Sequence, residues 1–210
     1  MYSPFLPKVI PRVILPVILS VILSVILPVI LSASDCLTTT LPIGEKDLLE
    51  PGKRWTTMQP LTDTLRTVIL TAAGYSDSTG KVQSGLVTKI LDRCPYTYGG
   101  SNGIELLIIF VGSKGDEKDE NIYLVTMRDG AVIARTLIGQ LQTSCNATFL
   151  RGCTLLNDGT IHVQQLEHTF DCDSDEFKGT NTLPAFLIGM RDDGTFEETL
   201  IETPPISDGE

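Results

Sequence analysis

Three aspartates at alternating positions, Asp171, Asp173 and Asp175, form the most metal-like pattern in this sequence. Carboxylates at the first, third and fifth positions of a loop are typical of calcium-binding loops, because Ca²⁺ prefers oxygen ligands. The sixth position is Glu176 where such a loop needs glycine, and the twelfth is Thr182 where it needs a bidentate glutamate. The pattern therefore excludes an EF-hand and predicts no more than a weak calcium site in a solvated acidic loop.

The stretch from Gly74 to Val82 resembles a phosphate-binding loop but fails its requirements. Five residues separate Gly74 from Gly80 where the motif needs four, and Val82 replaces the Ser or Thr that would bind magnesium. The two histidines, His162 and His168, would lie about 20 Å apart on an unbroken strand, too far to share a metal ion. We found no nucleophile elbow, no Cys–His pair and no dinucleotide fingerprint. The sequence predicts no catalytic residue and no cofactor, and it favours a non-enzymatic role.

The five cysteines are Cys36, Cys94, Cys145, Cys153 and Cys172. No two of them have the C-x-x-C spacing of a zinc site. In an exported domain, the last four predict two disulfides, whose connectivity the sequence leaves open. Cys145 or Cys153 is a reasonable partner for Cys172, because both precede it by short segments.

Residues 13–32 repeat a four-residue unit, VILP or VILS, five times. The apolar run 13–31 follows Lys8 and Arg12, a charge order that directs the C-terminal bulk across a membrane. This run is longer than a usual signal-peptide core and just long enough to span a bilayer. Residues 1–34 are therefore either a signal peptide cleaved after Ala33 or Ser34, or a retained membrane anchor.

Cys36 follows this segment at the place where bacterial lipoproteins carry their lipidated cysteine. Such a site normally has a small residue before the cysteine, whereas Asp35 precedes Cys36 here. Lipidation of Cys36 is thus a third outcome for the N terminus. The formal net charge of −10 argues against nucleic-acid binding, because an acidic domain repels phosphate backbones.

Asp-Gly pairs between apolar runs predict three β-hairpins, at Asp129-Gly130, Asp158-Gly159 and Asp193-Gly194. A change in the alternation of apolar residues at Gln164-Gln165 predicts a β-bulge. The run Ile104 to Val111 predicts a central strand buried on both faces. Residues 112–121 and 171–182 are predicted charged loops.

Helical spacing predicts a helix over residues 62–75, although its β-branched residues fit a strand equally well. A second helix is predicted over residues 81–93, before Pro95. The fold class is α+β: mainly antiparallel β, as a hairpin meander forming a sheet or a sandwich, with one or two helices packed on it. The predicted organisation is a leader (1–34), a tether with an irregular approach to the domain (35–60), one domain (61–204) and a frayed tail (205–210).

From about Gly103 to Glu202 the chain resembles a loose group of uncharacterised exported β-rich proteins of Gram-negative bacteria, especially Bacteroidetes. The residues that carry the resemblance are 122–133, 157–161 and 186–196, which contain the three Asp-Gly turns. The resemblance implies export to the periplasm, the cell surface or the medium, and it implies no known activity.

Our leading functional hypothesis is an exported, non-catalytic domain that binds a protein or ligand at the cell envelope. An exposed sheet edge or the loops 112–121 and 171–182 would form its contact surface. One alternative is a structural envelope protein held in the membrane by residues 13–31. The other is an exported hydrolase whose site is not recognisable, which would require a cleft with carboxyl groups of perturbed pKa.

The state of the N terminus and of the cysteines can be read from the intact mass of the protein purified from its native host. A mature chain that begins at Asp35 would mean cleavage and a soluble periplasmic or secreted domain; a chain that begins at Cys36 with a diacylglyceryl group would mean a lipoprotein, and a full-length mass would mean a membrane anchor. Reduction should add four hydrogens if two disulfides are present. An unchanged mass on reduction would contradict the oxidising compartment that we infer.

Overall fold

The structure of the protein is a computed structural model that describes residues 37, 40–55, 58–96, 103–113 and 119–201. The first elements are α1 (Glu45–Leu49), α2 (Pro51–Arg54), β1 (Gln59–Pro60) and α3 (Asp63–Ala72). They are followed by the strands β2 (Val87–Tyr96), β3 (Ile104–Gly112), β4 (Asp119–Arg128), β5 (Ala131–Thr143), β6 (Ala147–Leu155), β7 (Ile161–Phe170), β8 (Phe177–Met190) and β9 (Phe196–Ile201).

The nine strands form one antiparallel sheet in which each strand pairs with its neighbours in sequence. The three predicted hairpins are confirmed as β4–β5, β6–β7 and β8–β9. Asp129 and Gly130 both have positive φ, 51° and 79°, which a tight two-residue turn requires and glycine adopts without strain. The mainly antiparallel sheet with few helices confirms the predicted α+β class.

Strands β3 and β4 are buried on both faces. Leu107 and Ile109 of β3 pack with α3 on what we call the outer face, while Leu106 and Ile108 pack on the opposite, inner face. All four side chains are fully buried. The predicted two-sided burial of residues 104–111 is therefore confirmed.

Helix α3 confirms the helix predicted within residues 62–75. Thr62 is its N-cap, and the Thr62 hydroxyl accepts a hydrogen bond from the backbone N–H of Leu65. Ile69 and Leu70 are buried against the sheet. The β-branched residues of this segment do not prevent the helix, because burial of its apolar stripe outweighs their lower propensity.

The inner face is covered by residues 40–55, which we call the N-terminal arm. The side chains of Leu41, Ile43, Leu48 and Trp55 are buried in the inner cluster. Ile43 and Cys153 exchange backbone hydrogen bonds of 2.9 Å in both directions. The arm is part of the core, whereas the sequence predicted an irregular approach to the domain.

The N-terminal arm lies in a gap between β5 and β6. Pairing of these strands runs only from Gln140–Arg151 to Thr143–Thr148, and beyond Arg151 the arm takes the place of β5 beside β6. The β8–β9 turn lies against β4, so the sheet must curve to bring these non-neighbouring strands together. The Thr126 hydroxyl donates a hydrogen bond of 2.6 Å to the carbonyl oxygen of Gly194 in that turn.

Arg54 holds the arm in its bent path. Its guanidinium donates hydrogen bonds to the carbonyl oxygens of Thr40 and Pro42 and to the carboxylate of Asp47. Its planar fork of donors suits three acceptors that converge in this way. The Arg54 guanidinium also lies 5.3 Å from the centre of the Trp55 ring, in cation–π geometry.

The helix predicted over residues 81–93 is wrong, because residues 87–96 form β2. Leu91 packs with the inner cluster and Ile90 with the outer cluster, so these residues serve opposite faces as in a strand. The register of β2 shifts between Ile90 and Asp92. This irregularity and the loop before Val87 give the apolar residues a spacing that resembles helical periodicity.

The charged loop predicted over residues 171–182 is also wrong in its extent, because β8 begins at Phe177. The predicted bulge at Gln164-Gln165 is confirmed by a register shift between Val163 and Gln165. The predicted loop 112–121 is likewise too long, because β3 extends to Gly112 and β4 begins at Asp119; residues 114–118 lie outside the described part of the chain. The leader 1–34 and the tail 205–210 lie outside it as well.

No helix in the described ranges is long and apolar enough to cross a membrane. The apolar run 13–31 lies outside those ranges, so its role as signal peptide or anchor stays a prediction.

One disulfide joins two turns at the same end of the sheet. Cys145, in the β5–β6 turn, is bonded to Cys172, in the β7–β8 turn, with a Cα–Cα distance of 5.3 Å. Cys153 is a buried free thiol, so it does not supply a second bridge. Cys36 and the side chain of Cys94 lie outside the described part of the chain.

The contact between the arm and β6 predicts that Gly152→Ala is destabilising. A Cβ at this position would lie 2.6 Å from the backbone carbonyl oxygen of Ile43, which cannot move without displacing the arm. We expect a loss of about 1–3 kcal/mol in the free energy of unfolding. Urea unfolding followed by the fluorescence of Trp55, the single tryptophan, measures it.

The matched control is Gly189→Ala on β8, where a Cβ meets nothing within 4 Å. This variant should match the wild type or be slightly more stable, because alanine restricts the unfolded chain. Equal unfolding midpoints for the two variants would contradict the close packing of the arm on β6.

The disulfide predicts a loss of stability when both of its cysteines are replaced by serine. The bridge closes a segment with a sequence separation of 27, so its removal should cost about 3 kcal/mol through the entropy of the unfolded chain. The unfolding midpoint in urea measures the effect. Asp173→Ala, an exposed change in the same turn, is the control, and a double cysteine variant as stable as this control would refute the prediction.

Candidate functional site

The predicted calcium ligands do not converge. Oδ1 of Asp171 accepts hydrogen bonds from the backbone N–H groups of Asp173 and Ser174, at 3.0 and 3.2 Å, and its Oδ2 lies 3.6 Å from Nζ of Lys178. Asp171 therefore closes the β7–β8 turn. Among the described residues, no three His, Cys, Asp or Glu side chains are grouped so that they could hold a metal ion.

The thiol of Cys153 is unreactive in this fold. Its side chain is 3% exposed, and burial raises the pKa of its thiol to about 12. A thiol with such a pKa holds almost no thiolate at neutral pH, so it does not act as a nucleophile there. Its part in the structure is to pack beneath the arm.

The carboxyl groups with the clearest pKa shifts lie in exposed turns. Asp158 and Asp193 each accept hydrogen bonds from the N–H and the hydroxyl of the threonine two residues later, and these bonds lower the pKa of both carboxyls. Asp77 is bonded to Thr79 in the same way, and its pKa is lowered too. Because hydrogen bonds to a carboxylate favour its charged form, these aspartates are ionised caps of their turns.

A polar network on the outer face fixes the loop that follows α3. The hydroxyls of Tyr75 and Tyr123 lie 3.1 Å apart, and Nδ2 of Asn121 donates to the Tyr75 hydroxyl at 3.0 Å. The guanidinium of Arg135 lies 5.7 Å from the centre of the Tyr123 ring and donates to the carbonyl oxygen of Ala72 at the end of α3. Burial, followed by the bond to Tyr123, raises the pKa of Tyr75, so its phenol remains protonated.

Beside this network lies an open cleft of about 470 Å³. It is lined by the two sides of the loop, Gly74 to Asp77 and Lys81 to Ser84. The loop is closed by a bridge between Ser76 and Val82 and by a 2.8 Å bond from the N–H of Gln83 to the carbonyl oxygen of Tyr75. This is the stretch whose sequence resembles a phosphate loop, and it folds as a turn capped by Asp77.

A second candidate site is the open edge of β8. Strand β8 pairs with β7 from Phe177 to Ile188, but it pairs with β9 only from Ala185 to Met190. Residues 177–184 therefore have no strand beside them on the β9 side within the described part of the chain. We call this segment the β8 edge.

The direction of the backbone groups along the β8 edge follows from strand alternation. The N–H of Phe170 donates to the carbonyl oxygen of Asn146, on the β6 side of β7. Thr169 therefore directs its backbone groups toward β8, where it is opposite Gly179. The next residues of β8 alternate, so Thr180 and Thr182 direct their N–H and C=O groups away from β7. Pro184 also directs its backbone away from β7, so its lack of an N–H group removes no hydrogen bond between β7 and β8.

An exposed aromatic side chain stands at the start of the β8 edge. Phe177 is 55% exposed, although its ring packs edge-on against Phe170 and His168, at centroid distances of 5.8 and 6.1 Å. His168 is held by a 2.7 Å hydrogen bond between Nδ1 and the Thr180 hydroxyl. The edge thus has a fixed apolar corner beside a row of outward backbone groups.

Both sites overlap segments for which the sequence analysis considered a different feature. The β8 edge overlaps the predicted contact loop 171–182, but the charged residues of the turn obscured the strand that begins at Phe177. The alternation of Thr180 and Thr182 with Asn181 is the one signal that could have revealed it. The cleft residues carry only an incomplete phosphate-loop pattern in the sequence.

Comparison of this chain with protein-family models, with curated proteins and with solved structures found no match.

Proposed function

We propose that this protein is an exported, non-catalytic binding domain that pairs the β8 edge with an extended segment of a partner protein. The observation that carries the proposal is the row of outward backbone groups at Thr180 and Thr182. Recognition of this kind adds a strand to a sheet, and main-chain hydrogen bonds supply much of its affinity.

The composition of the β8 edge supports this use. A long exposed edge is normally blunted by charge, proline or a covering element, because it otherwise pairs with other chains. Here Lys178 and Pro184 stand at the two ends, while the positions between them carry only small or uncharged polar residues, Gly179 to Thr182, and Leu183. The middle of the edge remains competent to pair.

Phe177 supplies a point of side-chain selection. Strand addition takes its specificity from pockets and patches that receive alternate side chains of the added segment. The Phe177 ring is on the same side of the sheet as Phe170 and His168, which it contacts. An added strand would therefore place an apolar side chain against this aromatic corner.

The Cys145–Cys172 bridge supports the exported part of the proposal and also stiffens the site. Disulfides persist in oxidising compartments outside the cytoplasm. The bridge anchors the β7–β8 turn, from which the β8 edge begins, to the β5–β6 turn. A rigid template reduces the entropy lost when a flexible segment is ordered on it.

The test is selection of binders from a displayed library of random extended peptides, with the full chain as target. We expect enriched peptides with an apolar residue at alternate positions, and slowed hydrogen exchange at the amides of Thr180 and Thr182 when such a peptide is bound. Thr182→Pro removes one outward N–H and should weaken binding about tenfold or more, since the added strand loses a hydrogen bond and its close approach.

Thr182→Val is the matched control, because it keeps the N–H and the strand propensity while it removes the hydroxyl. It should bind as the wild type does. Unfolding curves of both variants verify that the sheet is intact. A library that yields no binder, or binders that Thr182→Pro leaves unaffected, would overturn strand addition at this edge.

A further inference from the structure

The cleft beside α3 has one basic and one acidic residue in its lining. Lys81 and Asp77 both line it, on opposite sides of the turn that closes the loop. Two backbone-mediated bonds, Asp77 N–H to Lys81 C=O and Lys81 N–H to Asp77 Oδ1, each 3.0 Å, hold the two residues across from each other. The backbones of these two charged residues are thus held opposite each other by the turn.

Only one of the two carboxylate oxygens of Asp77 accepts hydrogen bonds within the turn. The bonds from Thr79 N–H, the Thr79 hydroxyl and Lys81 N–H are all accepted by Oδ1. Within the described part of the chain, Oδ2 accepts none. The hydrogen bonds to Oδ1 hold the carboxylate in place and keep it ionised, which leaves Oδ2 as an oriented acceptor for an ammonium group.

The ammonium of Lys81 has no carboxylate within ion-pair distance among the described residues, whereas Lys53 has one and Lys178 has two. Lys81 is exposed at the rim of the cleft, so its charge is available to a ligand carboxylate. Ser76, Gln83 and Ser84 add hydroxyl and amide groups to the lining. These are the groups that hydrogen-bond a small polar molecule and its carboxylate.

The wall of the cleft is rigid where it meets the sheet. Tyr75 lines the cleft, and its hydroxyl is fixed by Tyr123 and by Asn121, which is 3% exposed. The volume of about 470 Å³ lies in the range of small-molecule sites and exceeds what a single small amino acid fills.

We propose that this cleft binds a small zwitterion, a free amino acid or a dipeptide, whose carboxylate pairs with Lys81 and whose ammonium pairs with Oδ2 of Asp77. The proposal is independent of strand addition at β8, because Tyr75 connects the cleft to β4, whereas the strand-addition site is on β8. The remaining volume receives the side chain of the ligand.

The experiment titrates the full chain with L-alanine, L-glutamine and the dipeptide Ala-Ala, followed by amide chemical shifts and by calorimetry. We expect saturable shifts at Ser76, Gln83 and Ser84, with a Kd of about 10 mM or below. Acetate and methylammonium, each of which carries only one of the two charges, should bind at least about tenfold more weakly, because each forms one ion pair instead of two.

Two matched pairs of variants assign the charges. Asp77→Asn keeps an Oδ1 acceptor for the turn and removes the charge, while Asp158→Asn makes the same change in a turn with the same threonine bonds. Lys81→Met removes the cation at the cleft, while Lys53→Met removes an exposed lysine that is paired with Glu50. Asp77→Asn and Lys81→Met should each weaken zwitterion binding about tenfold, and their controls should not.

Each outcome of these titrations either supports or overturns the proposed site. Loss of binding in Asp77→Asn and Lys81→Met alone supports the site. Absence of saturable shifts for all three zwitterions overturns it, and so does binding that these two variants leave unchanged. Acetate that binds as tightly as L-alanine would overturn the role of Asp77.

Discussion

The burial of β3 and β4 on both faces is the constraint on which the rest of this fold depends. An antiparallel sheet usually leaves one face in water, so two central strands without solvent need cover on both sides. Helix α3 covers the outer face, and the N-terminal arm covers the inner face. The arm crosses between strands, and so the sheet must open between β5 and β6 to receive it.

That opening explains why a small residue is needed on β6. Gly152 lets the carbonyl of Ile43 approach the backbone of β6. Register shifts in β4–β5, at Ile122/Tyr123 and Thr126/Met127, add the local twist that bends the sheet around the arm. The curvature then brings the β8–β9 turn against Thr126. The pairing of β9 with β8 reaches Ala185 at Ile201, the last described residue, and within the described ranges the first half of β8 has no strand on its far side.

Elements with a strong local signal were predictable from the sequence. The Asp-Gly turns, the continuous apolar run of β3 and the phase change at Gln164 each reflect one local rule, namely positive φ, two-sided burial or strand parity. The helix predicted at residues 81–93 failed because Leu91 and Ile90 belong to opposite clusters, and only the partner strand β3 reveals this. The arm was missed for the same reason: its short apolar pieces have no period, and their burial depends on an opening between two distant strands.

The candidate sites were harder to predict from the sequence because neither corresponds to a sequence motif. The β8 edge is defined by how far the described part of β9 pairs with β8, which is a property of pairing and not of β8 itself. The cleft depends on a small difference between similar turns. In the turns at Asp158 and Asp193, glycine follows the aspartate directly and the threonine comes next, whereas at Asp77 two residues separate the aspartate from Gly80. The longer turn lets Asp77 bond the N–H of Lys81 as well as that of Thr79, and it places a lysine across from the carboxylate. The same capping chemistry therefore closes a hairpin at two places and forms the charged rim of a cleft at the third.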